Sequence, residues 1–141
     1  MPDPSVLRRS AALFTTHFDW AGWTHLIETH GLTIDRPFGQ PHPAFPHIVY
    51  PLDYGYINDT RSSDGEPVDV FVGSAPTGLV GLILTVDYRQ HKREAKLLYH
   101  CTPVEVYTAH GFINYDRSLL EGVLALRSAG HEADSAVESA S

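Results

Sequence analysis

From Leu79 to Val86 apolar side chains follow one another almost without a break, which suits a strand buried on both faces. Upstream, Val68, Val70 and Val72 alternate with Asp69 and Phe71. Successive side chains of a strand point to opposite faces, so Asp69 can face a site while the valines hold a core. Downstream, Glu94 and Lys96 share one face by the same period, opposite Ala95, Leu97 and Tyr99. Val49 to Ile57 reads as extended, and Gly55 between two tyrosines marks a bulge or a close backbone approach. Leu26–Glu28 and Leu32–Arg36 predict two further strands, joined by a hairpin at Thr29-His30-Gly31.

The rest of the chain reads as follows. Residues 1–10 are polar or small and are expected to be loose. Residues 11–23 mix Leu13, Phe14, Phe18, Trp20 and Trp23 with Asp19 and Gly22, and predict a short helix or an irregular packing segment. Pro37, Pro41, Pro43 and Pro46 make residues 37–47 a loop, because proline lacks the ladder donor and restricts its predecessor. Thr102-Pro103-Val104-Glu105 is a helix start, with Thr102 as N-cap, Pro103 at the first turn and Glu105 completing a capping box. Val104, Tyr107, Ala109 and Phe112 are the expected packed side of that helix. Ser118 to Arg127 predicts a second short helix, and residues 128–141 a disordered tail of Ala, Ser, Gly and acids. Residues 1–127 then form a single domain. Strands first and helices last predicts an α+β fold, a small barrel with C-terminal helices.

Composition narrows the function. The 141 residues suffice for one domain with a real core. The net charge of −7 argues against a nucleic-acid partner, since phosphate neutralisation drives that binding. No apolar run is long enough to span a membrane. The apolar stretch after Arg8 and Arg9 is too short for a signal peptide. The single cysteine, Cys101, allows no internal disulfide and fits a cytoplasmic protein. The nine histidines lack the spacing of a zinc site.

The chemistry concentrates in Asp64-Gly65-Glu66-Pro67-Val68-Asp69. Three carboxylates this close repel one another unless something cationic sits between them. Hard divalent ions prefer oxygen, and Mg²⁺ takes one or two protein carboxylates plus waters and substrate phosphates. The stretch is therefore a candidate metal site that handles phosphate.

Tyr50-Pro51, Tyr54-Gly55-Tyr56-Ile57 and Asp64-Gly65-Glu66-Pro67-Val68-Asp69-Val70 together resemble the signature region of the soluble family I inorganic pyrophosphatases. Arg36, Asp87, Glu94-Ala95-Lys96-Leu97 and Ala109-His110-Gly111-Phe112-Ile113-Asn114-Tyr115 follow that family's order. The resemblance spans about residues 26–120 and implies an OB-like five-stranded barrel, Mg²⁺ dependence and hydrolysis of diphosphate to two phosphates. It implies Asp64, Asp69, Asp87 and Glu94 as metal ligands and Glu66 at the position of the proton-accepting base. It places Arg36, Lys96, Tyr54 and Tyr115 on phosphate oxygens, and it suggests a homo-oligomer.

This chain departs from the pattern at four places. Glu66 stands where the family usually has Asp, and one methylene can misplace a proton acceptor. Glu94 replaces the second aspartate of a later pair and lies further from Asp87 than expected. Asp116 follows Tyr115 where the family has lysine. The family's early lysine and glutamate find no match near Trp23-Thr24-His25. The metal cradle is mostly kept while the cationic clamp on phosphate is thinned, which leaves room for a different phosphoanhydride or phosphoester substrate. A catalytically silent relative that binds metal or phosphate, or serves as an interaction module, is the alternative reading. An OB-type oligonucleotide binder is a third, against which the charge counts.

Overall fold

A computed structural model describes residues 4–62 and 64–128. The chain begins with two helices, α1 (Pro4–His17) and α2 (Trp20–His30). The strands β1 (Leu32–Arg36), β2 (Asp53–Ile57), β3 (Asp69–Val72), β4 (Leu79–Asp87) and β5 (Lys92–Tyr99) follow. Helix α3 (Pro103–Ile113) and strand β6 (Leu120–Leu126) end the described chain. The strands form one sheet in the order β1-β2-β3-β5-β4-β6. All neighbours are antiparallel except β3 and β5, which run parallel with Phe71 opposite Leu98.

The α+β class holds, but the architecture differs from the expected five-stranded barrel: the sheet has six strands and is open, with β1 and β6 at its edges. Each face carries a core. On one face α1 and α2 bring Ala11, Trp20 and Ile27 against Val70, Leu82, Leu84 and Leu97. On the other, α3 brings Val106, Ala109 and Ile113 against Phe71, Ile83 and Leu98. The central strands β3, β4 and β5 are thus covered on both sides, as the unbroken apolar run of β4 requires.

Three expectations about elements are corrected. Residues 26–28 are not a strand, and the hairpin at Thr29-His30-Gly31 does not form. These residues end α2, which Asp19 caps by accepting from Gly22 N–H and Gly31 closes at φ 78°. Residues 4–10 are helical, not loose. The stretch after Ser118 pairs with β4 as β6 instead of forming a helix, with Val123 opposite Leu84. The expected tail falls almost wholly in residues 129–141, outside the described residues.

The Thr102 capping box on α3 forms as read, and Glu105 also accepts from the backbone and hydroxyl of Ser74. That ties the helix start to the turn after β3. The buried side of α3 is Val106, Ala109 and Ile113, whereas Val104 and Tyr107 face outward. At Gly55 the close approach is real: a Cβ there would lie 1.9 Å from the Thr33 carbonyl oxygen. The register of β1 against β2 shifts just beyond it, between Ile34 and Arg36.

Candidate active site

Lys92, Glu94 and Lys96 occupy every second position of β5, on the side of the sheet that carries α3. Asp69 and Phe71 of β3 and Tyr54 of β2 share that side, with Tyr54 opposite Phe71. Strand alternation and sheet order therefore suffice to bring three of the charged groups together.

Lys96 is the buried charged side chain among the described residues, 9% exposed. Its ammonium donates to the Tyr54 phenol oxygen at 2.9 Å, to Asp69 Oδ2 at 2.9 Å and to Glu94 Oε2 at 3.3 Å. Burial works against the charged form, but Tyr54, Asp69 and Glu94 outweigh it, so the Lys96 pKa is raised and the ammonium persists. Tyr54 is pushed well above the usual phenol range, first by burial, and stays a neutral hydroxyl. Lys92 repeats the arrangement nearer the surface, with Nζ 3.2 Å from Asp64 Oδ2 and 3.1 Å from Glu94 Oε1. Glu94 gives one oxygen to each lysine, so the two ammonium groups hold Asp64, Glu94 and Asp69 in a row.

Asp64 is fixed by its own turn. The Ser62 hydroxyl and the Glu66 backbone N–H donate to its Oδ1, and Lys92 donates to its Oδ2. These bonds, the Ser62 hydroxyl foremost, hold its carboxyl well below the usual range. Gly65 makes the turn possible at φ +87°.

A cavity of ≈ 210 Å³ opens beside Lys96. Glu94, Thr85, Asp87, Tyr54 and Arg36 of the sheet line it. His42, Phe45, Ile48 and Tyr50 come from the proline-rich loop, and Phe112, Tyr115, Asp116 and Leu119 from the end of α3 and the turn beyond. Arg36 donates to the Tyr50 hydroxyl and its guanidinium carbon lies 5.4 Å from that ring's centre. Arg89 lies over Phe45 at 4.8 Å.

The sequence of this region decides its kinship. Residues 28–88, which carry Arg36, Tyr54, Asp64, Asp69 and Asp87, match the family model "Inorganic pyrophosphatase". Over this stretch the chain is similar to the inorganic pyrophosphatases. It is 47% identical over 45 residues to the inorganic pyrophosphatase of Yersinia pestis, 32% of this chain and 22% of that one. It is 30% identical over 80 residues to that of Buchnera aphidicola subsp. Schizaphis graminum, 57% of this chain and 34% of that one. The matched stretches thus span no more than about a third of these relatives' length. The solved inorganic pyrophosphatase of Helicobacter pylori aligns over 74% of both chains at 17% identity and a TM-score of 0.45, a likeness too distant to carry an argument.

Of the residues that the pyrophosphatase resemblance singles out, Tyr54, Asp64, Asp69, Glu94 and Lys96 join one network. Arg36, Asp87 and Tyr115 line the cavity without bonding to that network, and Tyr115 is 72% exposed. Asp87 is in register with Lys92, but its Oδ1 accepts from the backbone of Arg89 and Gln90 and so caps its own turn. Glu66 is exposed on the Asp64 turn and is not among the residues lining the cavity. Among the described residues no three acidic, histidine or cysteine side chains gather as a ready-made metal cage.

Lys92 is the residue that sequence reasoning passes over. Its signal was the alternation Lys92, Glu94, Lys96, hidden because the strand was started at Glu94. His42, Tyr50 and Arg89 join the cavity through loops, for which a period offers no guide.

Proposed function

We propose that the chain hydrolyses inorganic diphosphate to two phosphates with Mg²⁺ as cofactor. The observation that carries this reading is Lys96. It is a buried ammonium held by Tyr54, Asp69 and Glu94 beside a cavity, in a chain whose neighbouring segment matches inorganic pyrophosphatase.

The donors fit a hard cation. Asp69 and Glu94 both reach Lys96, and Asp64 and Glu94 both reach Lys92, so the carboxylates come in pairs; Mg²⁺ needs only one or two protein carboxylates when water and phosphate complete its shell. These three would hold it, with Asp87 across from Lys92 as a further carboxylate. When bound, Mg²⁺ neutralises the diphosphate and makes it easier for water to lose a proton. The water oxygen adds to one phosphorus, the bridging P–O bond breaks, and the second phosphate leaves with the electron pair. Lys96 and Arg36 hold phosphate oxygens, and their fixed positive charge meets the charge that develops on the leaving group. Tyr54 sets the direction of the Lys96 ammonium. Tyr115 closes the cavity from the α3 side, and Glu66 accepts the proton from the rim of the Asp64 turn.

No helix among the described residues is long and apolar enough to cross a membrane. With one buried cysteine, the chain is read as acting in the cytoplasm. Phosphate release from diphosphate, measured with Mg²⁺ and then with EDTA, tests the activity. Turnover that needs Mg²⁺ and disappears in Asp69→Ala is expected. No turnover, with Mg²⁺ still bound by calorimetry, would overturn the hydrolase and leave a silent relative that binds metal.

A further inference from the structure

Lys92 and Lys96 are the lysines of this chain, and both ammonium groups reach the same row of carboxylates. They are not equivalent. Lys96 is buried and held by three oxygens, one of them the Tyr54 phenol. Lys92 starts β5, its side chain is 32% exposed, and it is held by Asp64 Oδ2 at 3.2 Å and Glu94 Oε1 at 3.1 Å. Withdrawing Lys96 would leave buried acceptors unpaired. Withdrawing Lys92 only turns a flexible four-carbon stem towards water, and part-exposed ion pairs of this kind contribute little.

The oxygens that Lys92 holds are also the ones that a divalent ion would need. Asp64 Oδ1 already accepts from the Ser62 hydroxyl and the Glu66 backbone N–H, which leaves Oδ2. Glu94 Oε2 accepts from Lys96, which leaves Oε1. An ion shared by Asp64 and Glu94 therefore meets Lys92 on both. Mg²⁺ binds oxygen at about 2.1 Å, so an oxygen that served both cations would keep them within about 5 Å of each other, where like charges repel.

We propose that Lys92 is a tethered place-holder cation. It neutralises the Asp64–Glu94 pair in the free protein, and it must swing into solvent before that pair takes a divalent ion. The inference rests on the Mg²⁺ reading of Asp64, Asp69 and Glu94. Lys92 then acts in the opposite sense to Lys96, which stays in place. The consequence is a sign. If Lys92 merely braced the Asp64 turn, removing its charge would loosen the carboxylates and weaken Mg²⁺ binding. As a competitor for the same oxygens, its removal strengthens that binding.

Mg²⁺ titrated calorimetrically into the wild type, Lys92→Met and Lys92→Arg reads that sign. Lys92→Met keeps the stem and drops the charge. It is expected to bind Mg²⁺ about tenfold more tightly, the scale of one unit charge against a divalent ion a few ångströms away in a wet site. Lys92→Arg keeps the charge and is expected to bind no more tightly than the wild type. A second readout needs no variant, and it decides alone should Lys92→Met lose its circular-dichroism signature. Because the sequence has no lysine besides these, labelling by an amine-reactive reagent, read by peptide mass spectrometry, reports on Lys92 apart from buried Lys96. Saturating Mg²⁺ is expected to raise Lys92 labelling severalfold. Unchanged or weaker Mg²⁺ binding in Lys92→Met, equal tightening in Lys92→Arg, or labelling that Mg²⁺ does not raise overturns the proposal. If the wild type binds Mg²⁺ and these tests fail, this inference alone falls and the metal reading stands. If neither the wild type nor Lys92→Met binds Mg²⁺, both fall.

Discussion

Lys96 shows what a single buried charge demands of its neighbours. Its ammonium is satisfied by three oxygens from three strands, so none of them can be removed independently. Lys96→Met would leave Asp69 and Glu94 facing each other without a cation. A loss of about 1–3 kcal/mol is expected in urea unfolding, the penalty for orphaning buried partners of a charged hydrogen bond. Glu94→Gln in the same background should recover part of it, which a double-mutant cycle would read. Two pH limbs follow from the same network. The Asp64 pKa is depressed on folding, so its contribution is present above the unfolded value near pH 4 and fades as pH falls below it. Asp64→Asn is expected to flatten the acid limb of a plot of Tm against pH. The Lys96 and Tyr54 pKa values are raised on folding, so their contributions are intact below about pH 10 and fade as pH rises past it. Tyr54→Phe should soften that alkaline limb.

Elements follow local rules where the rule is contained within a few residues. The α3 start is the case in point: Thr102 and Glu105 cap each other's backbone, and Thr102→Ala is expected to cost about 1 kcal/mol in thermal unfolding. Gly55 is another, since the strand β2 runs so close to β1 that a methyl group would overlap the Thr33 carbonyl. Gly55→Ala is expected to lose about 1–3 kcal/mol by overpacking and to shift Arg36 one bulge away. Elements escape those rules where a neighbour decides. Residues 120–126 are leucine-rich and read as helix, yet they become β6 because the edge of β4 offers unpaired backbone groups to pair with. Thr29-His30-Gly31 has the composition of a hairpin loop, yet α2 uses Gly31 as its closing residue because Trp20 and Ile27 find a buried surface on the sheet. Of the expected packed side of α3, Ala109 and Phe112 do pack, while Val104 and Tyr107 face outward; the helix is apolar over much of its surface, so only the sheet beneath it selects Val106, Ala109 and Ile113.

At the scale of the molecule, one open sheet divides structure from chemistry. The α1–α2 face carries one core, while the α3 face shares its strands between a second core and the cavity beside Lys96. Leu82, with no exposed surface on the first face, is expected to cost about 2–5 kcal/mol as Leu82→Ala. Because β4 backs the site strand β5 in register, that loss should also lower binding at a cavity it does not touch. Diphosphate or its methylene analogue with Mg²⁺ is expected to raise Tm, by about 2.7 kcal/mol of stabilisation at a hundred times Kd. Asp69→Ala should abolish the shift while leaving the unliganded fold cooperative.

The alternation along the chain was enough to place Asp69, Glu94 and Lys96 on site-facing positions, because a strand's side chains have no choice but to alternate. The Asp64-Gly65-Glu66 turn was legible for the same kind of reason, since Gly65 takes a positive φ that its neighbours cannot easily adopt. Which strands would be neighbours was not local information. The parallel pairing of β3 with β5 puts Asp69 beside Lys96, and a segment read as helix became the sixth strand at the edge of the sheet. Lys92 between Asp64 and Glu94, and the aromatic residues lining the cavity, likewise depend on contacts between segments far apart in sequence. Such contacts are chosen by the burial of whole faces, and only the folded chain brings those faces together.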